Sequence, residues 1–177
     1  MKKLSAGVLL YRHLDADVEV FLVHPGGPFW AKKDLGSWSL PKGEYADGDD
    51  PLTAARREFA EETGFAIDGM FLALGELKQP SGKIITAWAL DHDLDAALIK
   101  SNTFTLEWPP KSGKIQEFPE VDRGGWFSLP AALEKLTKGQ LDFLTRFAEK
   151  LSVSIPKTQQ DDGPPSSPPE SKQHLLF

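Results

Sequence analysis

The chain has 177 residues, of which 40% are hydrophobic, and this length and composition predict one folded domain with a sizeable core. It contains no cysteine, which excludes disulfides and thiol chemistry. Its formal net charge of −6 argues against broad nucleic-acid binding through a basic surface, although it leaves room for a small anionic ligand.

The first 41 residues predict a hairpin followed by a loop. Residues 4–11 and 18–23 have the composition of strands and are joined by a polar turn. The apolar run near the start is too short for a signal peptide, and no run approaches membrane-spanning length, so we expect a cytoplasmic protein without a membrane partner. In the loop that follows, Phe29 and Trp30 are candidates to stack on a base, and residues 38–41 predict a short strand.

A short acidic helix is predicted over residues 51–63. Pro51 suits the first helical turn, Asp50 before it is a good N-cap, and Gly64 is a typical left-handed stop. Glu58, Glu61 and Glu62 fall at spacings of three and four, so they share one face of this helix.

The acidic face predicts a metal site. Three like charges on one face destabilise a bare helix, and hard cations such as Mg²⁺ take carboxylate oxygens as ligands. A solvated charged face is the plain alternative. The glycine-bearing loops on both sides of the helix, with Arg57 beside the acids, favour the functional interpretation.

The remaining elements predict an α/β/α sandwich. Residues 71–78 and 84–90 form a second pair of strands, 125–128 a last strand, and 130–136 and 140–151 two helices. Residues 91–100 fit a short helix or a loop, and 101–115 have no clear assignment. We expect a domain over residues 1–155 and a proline-rich flexible tail over 156–177.

At residues 43–65 the chain resembles the Nudix hydrolase family. The family's box has the pattern G-x5-E-x7-R-E-U-x-E-E-x-G-U, where U is an apolar residue. Gly43 opens it here, and the later positions match as Arg57, Glu58, Phe59, Glu61, Glu62, Gly64 and Phe65. One position departs from the pattern, because Asp49 replaces the first glutamate. This acid is generally structural in the family, so we expect the departure to tune the loop.

The resemblance implies a Nudix-type sandwich with a mixed β-sheet between helices. It also implies metal-dependent hydrolysis of a phosphoanhydride bond, with Mg²⁺ or Mn²⁺ held by Glu58, Glu61 and Glu62. Family members often add the backbone carbonyl of the residue before the box, here Lys42, whose side chain is either a phosphate contact or an ordinary exposed lysine. Arg57 would orient the acids.

A further downstream carboxylate often serves the family as metal ligand or general base. Glu117 and Glu120 precede Trp126, and a glutamate about six residues before a tryptophan recurs there in relatives, which favours Glu120 over Glu117. A solvated acidic loop is the alternative.

The resemblance leaves the substrate open. A nucleoside triphosphate or dinucleoside polyphosphate is our first expectation, and ADP-ribose or another nucleotide sugar our second. A Nudix-like module that binds nucleotide without cleaving it is the non-enzymatic alternative, although such modules usually lose acids of the box. The sequence gives no prediction of the oligomeric state.

Overall fold

The computed structural model describes residues 2–156, so the predicted tail at 156–177 lies outside the described residues except for its first residue. The strands are β1 Leu4–Leu14, β2 Asp17–Pro25, β3 Lys42–Tyr45, β4 Leu72–Lys78, β5 Ile84–Asp91, β6 Thr103–Glu107, β7 Ile115–Pro119 and β8 Val121–Ser128. A mixed sheet forms the middle layer, in the order β4-β5-β1-β2-β8, and β3 pairs with the first residues of β1. Strand β1 runs parallel to β5 and antiparallel to β2 and β3.

Helices cover both faces of this sheet. Helix α1 spans Pro51–Thr63, α2 spans Leu129–Lys135 and α3 spans Leu141–Leu151, with short 3-10 helices at Ala96–Leu98 and Lys138–Gln140. One apolar cluster joins α1 to the sheet, and a second joins α2 and α3 to the opposite face. The predicted α/β/α sandwich is therefore confirmed.

The alternation of side chains along β1 and β2 assigns residues to the two cores. Successive strand residues point to opposite faces. Val8 and Phe21 accordingly pack against α1, whereas Leu9 and Leu22 pack on the side of α2 and α3. Each strand is buried on both faces, which explains their continuous apolar sequences.

The sequence prediction was wrong at residues 38–41. Instead of a strand, Trp38 and Ser39 form two isolated bridges, one to Leu136 and one to Val23. The strand begins only at Lys42, because β3 pairs with the first residues of β1. The backbone before it is shared between β2 and the end of α2, so it continues neither ladder.

The segment 101–115, which has no clear assignment from the sequence, contains β6, the first strand of a hairpin. Strands β6 and β7 pair antiparallel with each other, separately from the main sheet. Their short, mostly exposed sequences carry little of the apolar alternation that identifies a strand. This hairpin leads directly into Glu120 and β8.

Among the described residues, no helix combines the length and apolar character needed to cross a membrane.

Candidate functional site

The acidic helix is terminated as its sequence predicts. The Asp50 carboxylate accepts hydrogen bonds from the backbone N–H and hydroxyl of Thr53, at 2.9 and 2.7 Å. Gly64 adopts a left-handed conformation with φ of 80°, and its N–H donates to the carbonyl of Ala60. Phe59 is fully buried against the sheet, so the acids occupy the other side of the helix.

Gly43 brings the strand β3 against this acidic face. A Cβ atom at residue 43 would overlap the carboxylate of Glu58. The backbone N–H of the preceding residue, Lys42, donates to Oε2 of Glu62 at 3.2 Å. Only glycine permits this approach, so the first position of the box has a steric role in the site.

Arg57 neutralises part of the cluster. Its guanidinium lies 3.0 Å from Oε1 of Glu58 and 3.8 Å from Oε1 of Glu61, and it also donates to the carbonyl of Glu44 at 3.3 Å. These acids and the nearby Asp49 raise the pKa of Arg57. Arg57 thus links the helix to β3 and holds two of the carboxylates.

Glu62 and Lys42 lie together in a desolvated environment. Burial, together with the charges of Glu58 and Glu120, raises the pKa of Glu62 to about 8, although Lys42 acts in the opposite direction. Burial and the nearby Lys83 lower the pKa of Lys42. Each residue is therefore placed where its charged form is disfavoured unless a partner compensates it.

A series of backbone hydrogen bonds connects Glu120 to the acidic helix. The N–H of Asn102 donates to the carbonyl of Glu61, and the N–H of Glu120 donates to the carbonyl of Asn102, both at 2.8 Å. Partial burial and the charges of Glu58 and Glu61 raise the pKa of Glu120. The structure thus brings Glu120 to the electrostatic environment of the box acids.

Glu117 lies elsewhere. It is an exposed residue of β7, opposite Thr105 in the hairpin. No hydrogen bond or ion pair of its side chain is found within the described residues. The geometry favours Glu120 as the downstream carboxylate.

The backbone of Glu120 is also held by Gly26, the first residue after β2. The N–H of Gly26 donates to the carbonyl of Glu120 at 2.9 Å, and a Cβ at Gly26 would overlap the backbone carbonyl of Pro119. Sequence reasoning missed both Gly26 and Asn102, because their roles depend on contacts with residues far along the chain. For Gly26, the glycine pair at 26 and 27 is a sequence signal of a close backbone approach.

His24, a buried residue of β2, contacts both the loop after β2 and the start of β8. Its buried ring lies 2.6 Å from the carbonyl of Lys33 through Nε2 and 2.8 Å from Oδ1 of Asp122 through Nδ1. These two contacts hold the loop after β2 against the start of β8, two residues from Glu120.

The aromatic candidates lie on that loop. Phe29 is 59% exposed and meets Trp108 of the hairpin edge-on, with ring centroids 5.2 Å apart. Trp30 is 40% exposed, and the ammonium of Lys33 lies 4.7 Å from its ring centroid. Loop and hairpin thus present an exposed aromatic surface, to which Trp108 adds a residue that the sequence did not indicate.

The donor set fits a hard cation by its chemistry. Within residues 2–156, no three His, Asp or Glu side chains are gathered closely enough to hold one ion as placed. The acids nevertheless supply only oxygen donors, and burial together with their mutual repulsion raises the pKa of Glu62 and Glu120. Both features are those that Mg²⁺ or Mn²⁺ would satisfy.

Solved structures share this fold. The chain is similar to a C. elegans Ap4A hydrolase binary complex, with 21% identity and a TM-score of 0.59 over 84% of this chain and 98% of that one. It is also similar to the NUDIX domain of Shewanella oneidensis NrtR complexed with ADP ribose, with 17% identity and a TM-score of 0.59 over 85% and 89% of the two chains. At these identities the likeness establishes the fold.

Sequence comparison establishes the family. Residues 1–147 match the family model of the NUDIX domain. The chain is 31% identical over 101 residues to an octanoyltransferase of Myxococcus xanthus and 49% identical over 35 residues to an RNA pyrophosphohydrolase of Dinoroseobacter shibae. These alignments cover 57% and 20% of this chain, but only 25% and 22% of the two relatives. On the strength of the domain match, the protein belongs to the NUDIX domain family, as the box at residues 43–65 predicted.

Proposed function

We propose that the protein is a hydrolase that cleaves a phosphoanhydride bond, with Mg²⁺ or Mn²⁺, in a substrate containing a nucleoside diphosphate linked to another group. The proposal rests on a backbone connection between the acids of helix α1 and Glu120, which is far from them in the sequence. Glu58, Glu61 and Glu62 share one face of α1, and Glu120 is connected to Glu61 through the backbone of Asn102. Acids far apart in the sequence therefore lie within one another's electrostatic field, which supports a shared site.

The four glutamates and the backbone carbonyl of Lys42 would hold the metal. A bound divalent cation neutralises phosphate oxygens and lowers the pKa of a coordinated water. Arg57 keeps Glu58 and Glu61 in place through its ion pairs. Glu120, whose pKa is raised, is suited to accept a proton from the attacking water or to complete the ligand set.

For the substrate we favour a nucleoside triphosphate or a dinucleoside polyphosphate. Similarity to the Ap4A hydrolase extends over 98% of that chain, and the RNA pyrophosphohydrolase is a further relative. The base would stack on the exposed rings of Phe29 and Trp30. ADP-ribose or another nucleotide sugar is the second candidate, supported by the similarity to the NUDIX domain complexed with ADP ribose.

The test is nucleotide or phosphate release from a panel of substrates with Mg²⁺ or Mn²⁺. The panel contains nucleoside triphosphates, diadenosine polyphosphates, ADP-ribose and nucleotide sugars. We expect Glu61→Gln and Glu62→Gln each to lower kcat by about 100-fold or more while the protein stays folded at the assay temperature, because these acids act on the metal.

Wild-type turnover in either variant would remove the metal-site assignment. A folded wild-type protein that cleaves no member of the panel would instead favour a non-catalytic nucleotide-binding module.

A further inference from the structure

His24 is a fully buried imidazole that takes no part in the reaction proposed above. It is the last residue but one of β2. Its ring lies against the indole of Trp38 in an edge-on arrangement, with ring centroids 5.2 Å apart, so packing fixes its orientation. Because a buried polar group without a partner is costly, the two ring nitrogens show what the residue is for.

A β-bulge in β8 supplies the first partner of the ring. In the ladder between β2 and β8, His24 lies opposite Arg123. The next residue, Pro25, lies opposite Val121, so Asp122 has no residue opposite it. An extra residue of this kind re-aims a side chain, and bulges are common beside active sites. Here the Asp122 carboxylate lies 2.8 Å from Nδ1 of His24, so the bulge turns an acid onto the buried ring.

The second partner of the ring belongs to the loop after β2. Nε2 of His24 lies 2.6 Å from the carbonyl oxygen of Lys33, which accepts a hydrogen bond from it. The N–H of Lys33 donates to the carbonyl of Trp30, and its ammonium lies 4.7 Å from the centroid of the Trp30 ring. The contact therefore holds the turn that carries one of the two exposed rings proposed to stack on the base.

The backbone from Glu120 to Asp122 is a short span that is held at both ends. Glu120 is bonded through its N–H to Asn102 and through its carbonyl to Gly26. Asp122 is held by the ring of His24, two residues before Gly26. Because one residue separates the two held positions, a shift of Asp122 is passed on to Glu120.

We propose that His24 is a positioning residue with two separable contacts: through Asp122 it sets the carboxylate of Glu120, and through Lys33 it sets the aromatic loop. The inference rests on the proposed function for the roles of Glu120 and of the loop. It follows that the two ring contacts affect different kinetic constants, kcat for the contact with Asp122 and KM for the contact with Lys33.

Two amide substitutions separate the contacts. The amide nitrogen of asparagine stands as many bonds from Cβ as Nδ1 of histidine does, and that of glutamine as many as Nε2. His24→Asn therefore keeps a donor toward Asp122, whereas His24→Gln keeps the donor toward Lys33. For the substrate that the panel identifies, we expect His24→Gln to lower kcat about tenfold with little change in KM. His24→Asn should instead raise KM several-fold with kcat nearly unchanged, and identical effects of the two variants would overturn the proposal.

A double-mutant cycle tests the route through Glu120. If His24 acts through Glu120, adding His24→Gln to Glu120→Gln should lower kcat by less than about twofold further. A full tenfold further loss would show that the two residues act independently and would overturn the positioning role. Arg146→Ala is the control for a general loss of stability, because its guanidinium donates to the carbonyls of Leu74 and Glu76 in β4. It should lower the unfolding temperature and leave kcat unchanged.

Amide hydrogen exchange in Asp122→Ala tests the same contact without turnover. We expect the N–H groups of Glu120 and Gly26 to exchange about tenfold faster than in the wild type, while those of the central strand β1 keep the wild-type rate. Unchanged exchange at these two amides, or equal acceleration throughout the domain, would overturn the proposal. If no substrate is turned over, the proposed function fails, but the exchange rates still decide whether this contact holds the backbone of Glu120.

Discussion

The two halves of the candidate site are built in different ways. On one side, Glu58, Glu61 and Glu62 belong to a single capped helix, and their arrangement follows from helical spacing alone. On the other side, Glu120 is placed by backbone contacts with Gly26 and Asn102, each of which comes from a different segment. The first half depends on local sequence and the second on tertiary structure, so substitutions should affect them differently.

The largest effect of steric origin is expected at Gly43, where the helix meets β3. Gly43→Ala would introduce a Cβ that overlaps the Glu58 carboxylate, so we expect kcat to fall by about 10- to 100-fold as that acid is displaced. Steady-state kinetics beside a thermal unfolding curve measure the change.

Gly48→Ala is the matched control for Gly43→Ala. Gly48 lies in the same box and has a φ of +98°, but a Cβ there meets nothing within 4 Å. We expect it to lower stability by about 1 kcal/mol through backbone strain while kcat is retained. If Gly43→Ala keeps full activity, the close approach of β3 is not needed for catalysis.

The half of the site that contains Glu120 is tested by replacing Glu120 and Glu117 separately. Glu120→Gln should lower kcat by about tenfold or more, because Glu120 lies in the field of Glu58 and Glu61 and contributes as ligand or base. Glu117→Gln should be nearly neutral, since Glu117 is an exposed residue of the hairpin. The reverse order of effects would assign the role to Glu117.

The same distinction between local pattern and tertiary contact explains which features of the fold and the site could be predicted from the sequence. The Asp50 and Gly64 caps and the apolar Phe59 face follow from short-range rules, and the helix is observed over the predicted residues. The contacts of His24 with Lys33 and Asp122 involve residues 9 and 98 positions away, and no pattern in one sequence encodes such a meeting. The same limit applies to the pairing of Phe29 with Trp108 across loop and hairpin.

The pH dependence of stability tests whether Glu62, one of the three acids of helix α1, is desolvated in the folded protein. Burial is the main cause that raises the pKa of Glu62 to about 8 in the folded protein, so the folded state binds its proton more tightly than the unfolded state does. Stability contributed by the protonated carboxyl is present below the unfolded pKa of about 4.5 and is lost as pH rises toward 8.

In EDTA we therefore expect the unfolding temperature of the wild type to decrease between pH 5 and pH 8, with a smaller decrease in Glu62→Gln. Adding Mg²⁺ at pH 8 should restore stability to the wild type far more than to the variant, because the ion binds the folded state. Identical pH profiles of the two proteins would show that Glu62 is not desolvated in this way.

The smallest effect is expected at Asp49, the position where the box departs from its pattern. Its side chain contributes to the field at Arg57, but no hydrogen bond or ion pair of its carboxylate is found among the described residues. Asp49→Glu restores the family residue and should change kcat and KM by less than about twofold, since an exposed charge at this distance is largely screened. A tenfold loss would mean that the shorter acid is fitted to this particular loop, and the first half of the site would then depend on tertiary contacts as much as the second.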